Sequence, residues 1–249
     1  MQIVVDSLIT NYAESGQGPV VLMLHGWGDS LAGFHSLQKS LEKKYRVITP
    51  DLPGFGQTQT PHETWGLNEY AQFVRDFLDK LAIRPHVIIG HSNGGALAIR
   101  GLGSGVLDAD KLVLLASSGI RGEYKGRVKA IRLATKTGKL LTSPLPGRVK
   151  NRLRKKVYQT VGSDMLVAEH MQETFKQVVT DDVRKDAQKI AIPTLLLYGD
   201  QDTATPPSYG KQLNVLIKNS VFDEISPAGH FVHHDQPVAV LSRVEEFIA

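Results

Sequence analysis

A serine hydroxyl attacks a carbonyl only when a base takes its proton, and that base is an imidazole steadied by a carboxylate. This chain places the three groups at separate turns. Ser92 stands in Gly90-His91-Ser92-Asn93-Gly94, a G-x-S-x-G entered by the apolar run Val87-Ile88-Ile89 and left by the helix-forming Gly95-Ala96-Leu97-Ala98-Ile99. A strand–turn–helix of this kind exposes the serine oxygen on a strained elbow. The turn is tight enough that side chains at 90 and 94 would strike neighbouring elements, so both positions require glycine. The plainer alternative is a glycine-rich loop with no chemistry. His230 follows Ala228-Gly229 after the last apolar run, and Asp200 and Asp202 follow the run before it, in Tyr198-Gly199-Asp200-Gln201-Asp202. Either aspartate suits the imidazole.

Acyl transfer also needs two backbone N–H groups aimed at the developing oxyanion. The residue after the nucleophile, Asn93, offers one, and the turn His25-Gly26-Trp27-Gly28 after another apolar run offers the second, from Trp27. The other histidines take ordinary roles. His91 points away from its neighbour Ser92 and is expected to pack, His25 to brace its loop, and His233 and His234 to sit at the surface. Asp51, in Asp51-Leu52-Pro53-Gly54-Phe55-Gly56, is expected to be structural. Neither H-E-x-x-H nor G-x-x-x-x-G-K-[ST] occurs, so no metal or cofactor is called for.

The elements that must position these groups alternate along the chain. Apolar runs at Val20 to Leu24, Arg46 to Thr49, Val87 to Ile89, Leu112 to Leu115, Thr194 to Leu197 and Val221 to Ile225 are separated by helix-period stretches. The pattern predicts βα units around a mainly parallel sheet. Runs that are apolar at every position suit strands covered on both faces. Helices are expected over Leu67 to Leu81, with Tyr70, Phe73, Val74, Phe77, Leu78 and Leu81 on one face, and over Gly95 to Leu102. Ile3 to Val5 and Leu8 to Tyr12 read as an antiparallel hairpin at the sheet edge. The alternation stops after Ser118 and resumes near Ile192. Residues 119–189 are therefore expected to be a helical cap over the C-terminal ends of the strands, between core segments 1–118 and 190–249.

With 249 residues, 41% hydrophobic and 22% charged, the chain can bury a core as one large domain with an insertion. No apolar stretch reaches the ~20 residues that span a bilayer, and no secretory signal is read at the start. An integral membrane protein is not expected. The absence of cysteine excludes disulfides and thiolate catalysis and fits a cytoplasmic protein weakly. The net charge of +4 is uneven: Arg121 to Lys156 holds thirteen bases and only Glu123 as an acid, so this segment carries +12 and the remainder −8. The basicity is a local patch, and no nucleic-acid partner is inferred from it. Such a run is ordinarily a solvated lid face; the sharper reading is a surface that attracts an acidic carrier protein or an anionic substrate.

Taken in order, HGWG, DLPGFG, GHSNGG, YGDQD and AGHFVHHDQP resemble the α/β-hydrolase superfamily over residues of about 1–118 and 190–249. The resemblance implies an eight-stranded, mostly parallel sheet flanked by helices. It implies Asp202 as the acid, three residues after the glycine of the turn, and His230 as the base. Within the superfamily the text is similar to esterases that cleave the methyl ester of pimeloyl-acyl carrier protein, which dock an acidic carrier on a basic cap. It departs from them at GHSNGG and AGH. It also resembles unspecialised carboxylesterases and the C–C hydrolases of aromatic-ring breakdown. The expected activity is hydrolysis of a small-molecule carboxylic ester through an acyl-enzyme. The alternatives are C–C bond hydrolysis by the same residues, or a ligand receptor built on this fold.

Overall fold

Strands that are apolar on both faces can sit only in the middle of a sheet sandwiched between helices, and that is where the chain puts them. The computed structural model describes residues 1–121 and 169–249. β1 (Gln2–Val5) and β2 (Leu8–Ser15) form the expected antiparallel hairpin, and β2 pairs antiparallel with β4 (Arg46–Pro50). β3 (Val20–Leu24), β4, β5 (Val87–His91), β6 (Lys111–Leu115), β7 (Thr194–Gly199) and β8 (Ser220–Ile225) are mutually parallel. The order across the eight strands is β1-β2-β4-β3-β5-β6-β7-β8. This is the α/β-hydrolase arrangement that the motifs implied.

Val21, Met23, Val47, Val87, Ile89, Val113, Leu115, Leu195 and Leu197 face one cluster with the helices α1 (His35–Leu41) and, near the C-terminus, α8 (Pro237–Ile248). The alternate residues Leu22, Leu24, Ile48, Ile88, Leu112 and Leu114 are as fully buried. On α2 (Leu67–Lys80) the stripe of Tyr70, Phe73, Val74, Phe77 and Leu78 is buried as its spacing predicts. Fully burying such a side chain contributes about 1.5–3 kcal/mol each. α3 (Asn93–Ser104) begins two residues before the helix read from the sequence, because the serine turn feeds it directly.

Two compact units are distinguished, residues 1–120 with 173–249, and residues 121–172. Most of the expected cap, 122–168, lies outside the described residues. Of its described remainder, 119–120 and 173–189 fall in the first unit and 121 and 169–172 in the second; the stretch 173–189 includes most of α4 (Gln172–Val178) and all of α5 (Arg184–Ala187). Between β7 and β8 runs α6 (Pro207–Leu216), and α7 (Val232–Asp235) precedes α8. Among the described residues, no helix is long and apolar enough to cross a membrane.

Candidate active site

Because β3 and β5 to β8 run in parallel, their C-terminal ends share one edge of the sheet, where open α/β sheets present ligand-binding loops. Ser92 directly follows β5, with φ 51 and ψ −115. This left-handed backbone is costly for a residue with a Cβ and persists only where the surroundings enforce it. They do. A Cβ on Gly90 would come within 2.6 Å of the Gly94 carbonyl oxygen, and one on Gly94 within 2.6 Å of the His25 carbonyl oxygen. The Ser92 N–H donates to Leu115 O (3.0 Å), and the Ser92 carbonyl accepts from Ser118 N–H (3.0 Å), so the elbow is tied to β6 on both sides.

The histidine arrives from the loop after β8. His230 Nε2 lies 3.0 Å from Ser92 Oγ, and Nδ1 lies 2.9 Å from Asp202 Oδ2. Both contacts are met if Nδ1 carries the proton and Nε2 accepts from the serine. The Asp202 side chain is fully buried while His230 is 22% exposed. Burial alone would raise the Asp202 carboxyl, but hydrogen bonds from His230, the Thr205 hydroxyl and the Thr205 N–H outweigh it and hold the group below the ordinary carboxylate value. Asp200 does something else. Exposed at the turn, it accepts from Ala228 N–H (2.9 Å) and Ser226 Oγ (2.8 Å), clasping the β7 turn to the histidine loop. Those two donors lower its carboxyl.

Trp27 and Asn93 stand at the ends of β3 and β5. As the first residue of α3, Asn93 has a backbone N–H with no helical partner. A Cβ on Gly26 would lie 3.2 Å from Ser92 Cβ, so the loop bearing Trp27 passes beside Ser92. His25 braces that loop as expected. It is fully buried; Nδ1–H donates to Gly26 O (2.8 Å) and Nε2 accepts from Leu52 N–H (2.9 Å). A trans peptide points its N–H opposite to its carbonyl, so holding Gly26 O fixes the direction of the Trp27 N–H. Burial lowers the His25 pKa below its usual value, which keeps the ring neutral. Trp27 packs edge-on against Phe55 (4.8 Å) and tilted against Phe175 (5.1 Å).

His91 is packed, as its position predicts, and it also bonds: Nε2–H donates to the carbonyl oxygen of His230 (3.1 Å). Burial first, then the neighbouring His233 and His230, push its pKa far below the usual range. His233 corrects a sequence expectation. It is 4% exposed, stacked on Phe34 (5.2 Å) and edge-on to His91 (4.8 Å), because the single turn of α7 carries Val232 and His233 inward together. Burial and the adjacent His234 bring it down to about 3. His234 is exposed, its Nε2–H donating to Gly33 O (2.6 Å). Asp51 is structural: its carboxylate accepts from Leu31 N–H (2.7 Å), Gln57 N–H (2.9 Å) and Asn11 Nδ2 (2.8 Å). Among the described residues, no group of three or more His, Cys, Asp or Glu could hold a metal ion.

The sequence reading missed three participants in this geometry. Thr205 touches both Asp202 and His230, Asp235 accepts from Gly229 N–H (2.7 Å) beside His230, and His91 holds the His230 carbonyl. Thr205 lies outside the motifs quoted above; His91 and Asp235 lie within GHSNGG and AGHFVHHDQP, but neither motif says what they bond. The Asp-x-x-Thr spacing from Asp202 was the one available sign, since such turns fold a side chain back on nearby amides.

A family profile described as "Alpha/beta hydrolase family" matches residues 21–244. An uncharacterised protein of Mycobacterium tuberculosis is 26% identical over 260 residues, covering 94% of this chain and 76% of that one. The 2-hydroxy-6-oxo-2,4-heptadienoate hydrolase of Pseudomonas putida is 26% identical over 258 residues, covering 96% of this chain and 92% of that one. The solved structure of a thermophilic esterase from Thermogutta terrifontis superposes with a TM-score of 0.74 at 20% identity, covering 100% of this chain and 97% of that one. At that identity it speaks for the fold alone.

Proposed function

The chain belongs to the alpha/beta hydrolase family, and on that premise we propose that it cleaves carboxylic esters through an acyl-enzyme. One observation carries the reading: Ser92 Oγ, His230 and the buried Asp202 form a continuous chain of contacts at 3.0 and 2.9 Å. Ser92 Oγ attacks the ester carbonyl as its proton passes to His230 Nε2. Asp202 steadies the imidazolium that results. The Trp27 and Asn93 N–H groups receive the negative charge on the carbonyl oxygen. His230 then returns the proton to the departing alcohol, and in the second half it activates water against the acyl-serine.

Turnover of p-nitrophenyl butyrate, lost in Ser92→Ala, is the direct test. An organophosphonate should label the protein once, on the peptide bearing Ser92. Labelling that survives Ser92→Ala would assign the nucleophile elsewhere. The Pseudomonas putida relative supports a second reading, hydrolysis of a C–C bond by the same residues. A vinylogous diketone turned over far faster than any ester would favour it.

The charge of the chain supports an anionic partner at the expected cap, an acidic carrier protein or an acidic substrate. Arg121 to Lys156 carries +12 against −8 elsewhere. Attraction of that kind acts on encounter rate and weakens with salt, with a Debye length of about 10 Å at 0.1 M. The kcat/KM for an acyl group on an acidic carrier should fall steeply with ionic strength while that for a neutral ester stays level. An equal response for both leaves the run as a solvated face.

A further inference from the structure

Thr205 sits six residues past the end of β7, in the segment leading into α6, and is 5% exposed. Its backbone N–H and that of Ala204 donate to Asp202 Oδ1, at 2.9 and 2.8 Å. Its hydroxyl oxygen meets three polar atoms at once: Asp202 Oδ2 at 2.7 Å, the Ala116 carbonyl oxygen at 2.9 Å and His230 Nδ1 at 3.0 Å. Ala116 directly follows β6 in a left-handed conformation (φ 46), with its N–H bonded to Leu197 O at 2.8 Å.

A hydroxyl has one proton and two acceptor lone pairs, and here it has two acceptors to choose from. Turned to Asp202 Oδ2, the proton shares the carboxylate with His230 Nδ1–H. Turned to Ala116 O, it leaves a lone pair of Thr205 Oγ1 facing Nδ1–H, as a second acceptor for the imidazole when it becomes cationic. One hydrogen bond is exchanged for another between these two states, and only the C–O torsion turns.

We propose that Thr205 is a positioning residue of the reaction, its hydroxyl holding the Asp202–His230 pair in register while the imidazole gains and loses the serine's proton. The proposal rests on the reading of Ser92, His230 and Asp202 given above. Thr205 touches no reacting atom and acts through that pair. The contact is particular to a hydroxyl: valine has the same shape and none of the three bonds.

The test is a double-mutant cycle on p-nitrophenyl butyrate hydrolysis, with the full chain throughout. Thr205→Val should lower kcat by about tenfold to a hundredfold, the loss ordinary for a hydrogen bond to a charged group, with KM unchanged. Thr205→Ser should recover to within about threefold. In an Asp202→Asn background the Thr205→Val change should cost less than about twofold, because the pair it serves is already broken. A Thr205→Val enzyme with wild-type kcat, or one that loses the same factor in both backgrounds, overturns the proposal; the second result would make Thr205 a packing residue. If Thr205→Val does not fold, Thr205→Ala and Thr205→Ser carry the same comparison, with thermal unfolding as the control. Failure of the underlying reading looks different: Ser92→Ala would then retain activity, whatever Thr205 does.

Discussion

The turn after β5 and the loops after β7 and β8 present their side chains at the same edge of the sheet by opposite means. At Ser92 the restraint is steric. Glycines at 90 and 94 let backbones approach where any Cβ would collide, and the serine is forced into a left-handed conformation. At Asp202 and His230 the restraint is hydrogen bonding. Asp202 takes two N–H donors and a hydroxyl, the His230 carbonyl takes the His91 ring, and Gly229 N–H is held by Asp235. A steric constraint admits one residue type and so writes a spaced motif. A hydrogen bond accepts several donors and leaves no fixed text.

The comparison can be broken at its strongest point first. Ser92→Ala and His230→Ala should each lower kcat by roughly 10⁴-fold or more, and the double variant should be little worse, since the pair acts as a unit. Single-turnover ester kinetics would show it, and additive losses would mean the two do not share a step. Asp202→Asn should cost roughly 10³- to 10⁴-fold by disturbing the tautomer of His230. Asp200→Asn, whose carboxylate only clasps two loops, should stay within about threefold; the reverse ranking would make Asp200 the acid.

The steric side is tested by Gly94→Ala. Its Cβ would overlap the backbone carbonyls of Leu24 and His25, which cannot swing aside as a side chain can. Unfolding in urea should show a loss of about 3 kcal/mol. A near-neutral result would mean the elbow is looser than its geometry implies.

The last effect concerns pH. His91 and His233 are buried and neutral, the latter down to about 3. Unfolding restores their ordinary proton affinity near 6.5. Below that value the unfolded chain binds protons that the native state refuses, so stability falls as pH drops from about 6.5 toward 3. Each such histidine contributes a slope of at most ~1.4 kcal/mol per pH unit. His233→Phe, which keeps a ring against Phe34, should make the Tm decline more gradual over this range. An unchanged slope would show that other groups set it.

The same distinction decides what could be read from the amino-acid order. The central strands were legible because burial on both faces leaves apolar residues at every position from Val87 to Ile89 and from Leu112 to Leu115. The turn bearing Ser92 was legible because glycine stands where backbones cross, and the turns bearing Asp202 and His230 share that sign at one point, Gly199, whose Cβ would strike Ala228 and Gly229. Thr205, Asp235 and the His91 bond were not, since a lone polar side chain does not announce which group it will meet. His233 was misplaced for a related reason. Two adjacent histidines at the end of the chain read as surface, and only the packing of α7 on Phe34 turns one of them inward.

The register between β6 and β7 has a consequence for how the molecule assembles. It joins Leu112 to Thr194, the widest gap in sequence between any two adjacent strands of the sheet. Closing a loop of that length must precede the reward of pairing, and long-range parallel pairing is slow for that reason. Everything N-terminal of the gap, including the elbow, can form from nearer partners, and β7 with β8 can form its own unit holding Asp202 and His230. Ser92 meets His230 only when the two halves zip together along β6 and β7. Core fluorescence and secondary structure are therefore expected to recover early in refolding, and reactivity toward an organophosphonate to return last, with the kinetics of that single closure.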